Sequence, residues 1–181
     1  MAMAYPWYGI VEGESLLQGD LIDRCPVLVP KGPIIIERDQ ATELQLDGYL
    51  EEYDVVVMSQ SCDLEQAKLD FVLVCPHWSL EELGHRNEYL KSSKGKEDLR
   101  RGHIPGYHLL AACELEGMER TFRVVDFRTA YSLPLEFLKH FAVSCGQRLQ
   151  LLPPYREHLA QAFARFFMRV GLPADIPPFK K

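Results

Sequence analysis

The chain has 181 residues, 47% of them hydrophobic and 25% charged, a balance that suits a single domain with a core of its own. With 20 Lys and Arg against 26 Asp and Glu the net charge is −6, which argues against broad, sequence-independent nucleic-acid binding through many phosphate contacts. No stretch reaches the roughly 18 consecutive apolar residues of a membrane span, and Met1 to Ile10 lacks the basic-then-apolar pattern of a secretory leader, so a cytoplasmic protein is expected.

The cysteines (Cys25, Cys62, Cys75, Cys113, Cys145) are odd in number and scattered, as reduced thiols are. Tyr8 to Gly13 is compatible with a short first strand. Gly19-Asp20-Leu21-Ile22 leads into a second that ends near Pro26 to Pro30, an irregular or edge strand because Pro cannot donate to a ladder. Ile34-Ile35-Ile36 follows a Gly-Pro turn and reads as a third. Thr42 to Tyr53 alternates weakly around Gly48, which leaves strand and loop both open. Val55 to Met58 and Phe71 to Cys75 are short apolar runs, each ending in a cluster of reactive side chains; such runs signal buried strands.

Ser79 followed by Glu82 fits a capping box, and the stretch to Lys91 is helix-compatible. Ser92 to Lys96, with Gly95, is expected to be an exposed loop. Tyr107 to Cys113 and Thr121 to Phe127 flank Glu116-Gly117-Met118-Glu119 as a hairpin would. Pro134 opens a short helix to Ala142. A last helix, 154–171, carries Leu159, Phe163, Phe166, Phe167 and Val170 on one face, with Gly171 as its C-cap. Each of those apolar side chains is expected to contribute roughly 1.5–3 kcal/mol on burial. The pattern predicts an α+β, mainly β domain over 1–181. It would be a small antiparallel barrel over about 8–145 with a helical insertion and a C-terminal amphipathic helix.

The order of these elements resembles the MazF/PemK family, SH3-like barrels of bacterial toxin–antitoxin systems. Gly19-Asp20-Leu21-Ile22, Val55 to Ser59, Val72 to Pro76 and Val124 to Thr129 are similar to successive strands of that family, and Leu135 to Phe141 to the helix that follows. The family's ribonucleases place an Arg, usually followed by Pro, before the second core strand, and a Thr two residues beyond the Pro of the next strand. Here those positions fall in Glu51-Glu52-Tyr53-Asp54 and at Trp78. The resemblance therefore implies a degenerate toxin-like barrel, with relatives that dimerise, suited to an accessory role in bacterial defence of the toxin–antitoxin or CRISPR type. Ser59-Gln60-Ser61-Cys62-Asp63-Leu64 also resembles a phrase of uncharacterised bacterial proteins.

Four sets of residues offer chemistry. Cys62, Cys75 and His77, joined by His103 or His108, are potential zinc ligands, but Cys-Pro-His lacks the two-residue ligand spacing of structural zinc motifs. The alternative is a buried Cys75 beside a loop histidine. Cys62 and His77, oriented by Asp63, are a candidate thiolate–imidazole pair; the alternative has Ser59, Ser61 and Asp63 satisfying backbone groups in a turn. Asp126 and Arg128 share a strand face, as a structural ion pair or an anion site. Arg156, Arg165 and Arg169 lie off the apolar face of the last helix, either solvated or facing an acidic partner or a phosphate.

The expectation is a non-catalytic interaction or regulatory module with a protein partner and no cofactor. Its binding residues would come from Ser59, Gln60, Ser61, Cys62, Asp63, Trp78, Asp126 and Arg128. The alternative is an RNA-cleaving toxin relative that uses Ser59, Cys62, Asp63 and His77.

Overall fold

A computed structural model of the chain describes residues 5–32 and 48–168. It is an α+β fold whose sheets are antiparallel throughout. In chain order the first elements are β1 (Tyr8–Val11), β2 (Leu21–Pro30), β3 (Gly48–Val57), α1 (Ser61–Glu65), β4 (Phe71–Ser79), α2 (Leu80–Arg86), α3 (Glu88–Lys91) and α4 (Ser93–Arg100). They are followed by β5 (Tyr107–Leu110), β6 (Arg123–Asp126), β7 (Tyr131–Pro134), α5 (Leu135–Cys145), β8 (Arg148–Leu151) and α6 (Tyr155–Phe167). The main sheet runs β2-β3-β4-β6-β5 with β7 also on β4, and β1 pairs with β8 as a separate ribbon. The barrel expected from the strand order is not closed among the described residues: β2 and β5 end the main sheet. No helix among these residues is long and apolar enough to cross a membrane.

The Val55-Val56-Val57 run is apolar without alternation because both faces of β3 are covered. Val55 and Val57 point into one core with Val72, Val74 and the α5 residues Leu135, Leu138 and Ala142. Val56 points into a second core with Cys75, Leu149, Leu151 and Leu159 of α6. A third, smaller core joins Leu83, Leu90 and Leu99 of the α2–α4 insertion to Tyr107 and Val124.

Several expectations change here. The 71–75 run does not stop at Cys75; β4 continues through His77 and Trp78 to Ser79, so His77 is a strand residue and not a loop residue. β4 changes neighbour as it goes, pairing with β7 over Phe71–Val74 and with β6 from His77 onward. Pro76 falls at that break, where a residue without an N–H is tolerated. Ser92 to Lys96 is exposed apart from Gly95, as expected, but it is the start of a helix and not a loop. The Ser92 hydroxyl accepts the Gly95 N–H at 2.9 Å and starts α4. Gly95 is buried against the Tyr89 backbone, and a Cβ on it would sit 1.9 Å from the Tyr89 carbonyl oxygen, so only glycine fits there.

The Ser79–Glu82 capping box is present in both directions, at 3.1 and 2.9 Å. The β5–β6 hairpin and the α5 helix form where the sequence places them, and 48–53 resolves to strand. On α6, Leu159 is fully buried and Phe163 and Phe166 pack against Phe127, at 5.3 and 6.2 Å between ring centroids. Phe167 is 64% exposed, so only part of the expected stripe is buried. Ile34 to Ile36, Thr42 to Asp47, Arg169, Val170 and Gly171 lie outside the described residues.

β8 was not legible as a strand, and it holds the fold's buried charge pair. Gly19 and Asp20 pass between β3 and β8: Gly19 N–H donates to Val57 and its carbonyl accepts from Leu151. The chain takes φ +89 at Gly19, where a Cβ would lie 3.0 Å from Leu151 Cβ, so only glycine passes easily. The Asp20 carboxylate, fully buried, accepts from Arg148 at 3.1 Å and from Gln150 at 2.5 Å. Arg148 also donates to the carbonyls of Gly13, at 2.9 Å, and Ser15.

Candidate functional site

The Ser59–Asp63 segment leaves β3 and enters the first turn of α1, and its hydroxyls are occupied with backbone groups. Ser59 Oγ accepts the Leu73 N–H at 2.8 Å, and Ser61 Oγ accepts the Gln18 N–H at 3.1 Å. Gln60 is exposed at the N-cap of α1 and makes no side-chain cap bond. Cys62 is exposed, its Sγ 3.8 Å from Asp63 Oδ1, and Asp63 lies 3.8 Å from Lys68 Nζ. The hydroxyls here satisfy a turn, as short polar side chains commonly do.

His77 lies elsewhere. The segment is anchored to Leu73, and His77 is four residues further along β4, roughly 13 Å at ~3.3 Å per residue. His77 is 1% exposed. Its Nδ1 accepts from Arg123 Nε at 3.0 Å, and Arg123 also donates to Asp54 at 2.6 Å. Burial, with Arg123 and Arg120 adding, pushes the imidazole well below its usual range, so it is neutral. A neutral His77 that accepts at Nδ1 carries its proton on Nε2, which is buried without a partner. Cys62 and His77 are therefore not in the hydrogen-bonded contact that nucleophile activation needs.

The zinc trio is not brought together either. Cys75 is buried in the second core, its thiol pushed up to about 12 by burial and then by Asp126, while Cys62 is exposed on α1. Among the described residues no three His, Cys, Asp or Glu are arranged to hold a metal ion.

The geometry converges instead on an aromatic cluster between β3 and β4. Tyr53 of β3 and Trp78 of β4 meet edge to face, 5.9 Å between centroids at 82°. Tyr131 closes a third side, 5.3 Å from Tyr53. These rings and Glu51, Glu52, Pro76, Arg86 and Asp126 line an open cavity of about 510 Å³. The Tyr53 hydroxyl donates to Glu51, and that bond, with one to Tyr131 and burial, raises its pKa well above the usual phenol range. Glu51 has no cation within ion-pair distance among the described residues, whereas Glu52 is held by Arg24 at 2.8 Å.

Asp126 ends β6, and Arg128 lies in the turn beyond it. They form the expected ion pair, bidentate at 2.9 and 2.7 Å, and the Arg128 guanidinium lies 4.3 Å from the centre of the Tyr107 ring. Arg86 of α2 sits with its guanidinium carbon 4.0 Å from the centre of the Trp78 ring, with no carboxylate within ion-pair distance among the described residues. The ring face attracts a cation. Trp78 and Asp126 are thus the two candidate binding residues that the fold brings to one cavity. Tyr53, Glu51, Arg86 and Tyr131 complete it. In the sequence only the acidic and aromatic run Glu51-Glu52-Tyr53 stands out; Arg86 and Tyr131 carry no signal there.

No protein-family model matches the chain, and no curated protein sequence matches it significantly.

Proposed function

We propose that the chain is a non-catalytic protein-interaction module, and that the Tyr53–Trp78 cavity receives a basic side chain of a protein partner. The observation that carries this reading is the guanidinium of Arg86 already lying on the Trp78 face, 4.0 Å from its centre, in the lining of an aromatic cavity where Glu51 has no ion-pair partner among the described residues. Glu51, Glu52 and Asp126 against the single Arg86 make the lining net acidic, which disfavours a phosphate. In the MazF/PemK-like reading, the place of the phosphate-holding Arg and its Thr is taken by an acidic and aromatic pair, which favours a cationic protein segment over RNA. An accessory role in a bacterial defence system follows from that same resemblance. The ribonuclease alternative has weaker support because its residues Ser59, Cys62, Asp63 and His77 are spread between a turn and a sheet interior.

The test is affinity capture from native lysate with and without ribonuclease, using the chain and its Trp78→Ala variant. A stoichiometric protein that survives ribonuclease and is lost with Trp78→Ala supports the module. Captured RNA cleaved by the chain, with cleavage abolished in Cys62→Ala or His77→Ala, overturns it.

A further inference from the structure

A second cavity, about 710 Å³, lies away from that site, between the end of α4, β5 and α6. No Asp or Glu lines it, although acidic residues outnumber basic ones in the chain. Arg100 and Arg101 enter from the C-terminal end of α4. His158, Gln161 and Arg165 enter from α6, at i, i+3 and i+7, which is one helix face. Arg100 and Arg101 share one carboxylate, Glu97, at 2.7 and 2.6 Å. That leaves three guanidinia against one carboxylate, and Arg165 has no ion-pair partner among the described residues. Pro105, Leu109 and Ala162 supply apolar wall, and His108 Nε2 is buried beside it without a hydrogen-bond partner.

We infer that this cavity binds a nucleoside phosphate, with the phosphate held by Arg101 and Arg165 and the base against the apolar wall. Planar guanidinia suit a phosphate because each donates two parallel hydrogen bonds to its oxygens. Cavities of roughly 300–1,000 Å³ with apolar walls and a few convergent polar groups are the usual form of small-ligand sites. His158 and Gln161 add donors on the same side. The site is independent of the Tyr53–Trp78 cavity, so either reading can fail alone.

The test is calorimetric titration of the full chain with ADP, with adenosine, inorganic phosphate and a short single-stranded oligoribonucleotide as comparisons. The expected result is saturable ADP binding, no binding of adenosine, and weaker binding of inorganic phosphate. Arg165→Glu and Arg101→Glu should each weaken ADP by about tenfold or more, the loss of one charge-assisted contact. Arg165→Lys, which keeps the charge but not the fork, should fall between. The Arg165 side chain is solvent-exposed at the cavity, and circular dichroism establishes that each variant is folded. No ADP binding, equal affinity in the Glu variants, or binding of the oligonucleotide without ADP overturns the inference.

Discussion

Replacing Arg148 by Met removes one half of a charge pair that neither partner shares with solvent. The side chains of Arg148 and Asp20 are 2% and 0% exposed. The substitution deletes the 3.1 Å contact to Asp20 and the bonds to the carbonyls of Gly13 and Ser15. The Asp20 carboxylate would then keep only Gln150 as a side-chain donor. Breaking a buried pair from one side costs about 3–5 kcal/mol, a large part of the ~5–15 kcal/mol that holds a domain together.

Burial already pushes Asp20 above the usual carboxylate range, opposed by Gln150 and Arg148. Without Arg148 it rises further. A carboxyl raised in the folded state is most favourable to folding below its unfolded pKa of ~3.9 and loses that advantage as pH rises through the folded value. The deficit of Arg148→Met should therefore be largest at pH 7 and shrink toward pH 5. Urea unfolding followed by tryptophan fluorescence measures this. The double variant Asp20→Asn/Arg148→Met should cost less than the sum of its parts. A loss under ~1 kcal/mol, or an equal deficit at both pH values, would refute the reasoning.

Gly95→Ala should destabilise by about 1–3 kcal/mol, although Ala is the better helix former, because the new Cβ meets the Tyr89 backbone; a stabilised variant in urea unfolding would contradict the close approach. Acidification should destabilise the wild type through His77 and His108. Both are held below their ordinary pKa by burial, His108 at about 4. A depressed histidine gives stability that is full above its unfolded pKa of ~6.5 and lost as pH falls, since only the unfolded chain takes the proton; for His108 the window runs from ~6.5 down to about 4. That amounts to about 2 kcal/mol by pH 5, checked by unfolding at pH 7 and 5, where His108→Gln should flatten the profile. Leu159→Ala should cost about 2–5 kcal/mol, since Leu159 is fully buried where α6 meets the second core; a smaller loss on thermal melting would mean that α6 is not docked there.

Local signals told most of the fold. The capping box at Ser79, the hairpin around Gly117 and the helix after Pro134 are short-range patterns, and they form as written. What failed depended on distant contacts. Ser92 to Lys96 is polar and contains a glycine, as loops are. Its helix is stabilised by the Ser92 cap and by the closeness that Gly95 permits to Tyr89. β8 is four residues long and begins with an arginine, which only the buried Asp20 explains. His77 reads as a loop residue after Cys-Pro because nothing local announces that β4 changes partner at Pro76. At the site, Trp78 and Asp126 were legible one by one, but their meeting was not, since it rests on the pairing of β4 with both β3 and β6.

The central claim is that the Tyr53–Trp78 cavity attracts a guanidinium. The most direct measurement is a two-dimensional NMR titration of the folded chain with N-acetyl-arginine amide, using N-acetyl-glutamate as the comparison. The account predicts that the arginine compound alone shifts the Trp78 indole N–H and the amides of Glu51 and Tyr53. Trp78→Ala should abolish the response, and Arg86→Ala, which clears the ring face, should strengthen it. Shifts that are equal for both compounds, or absent from Trp78 even in Arg86→Ala, would contradict it.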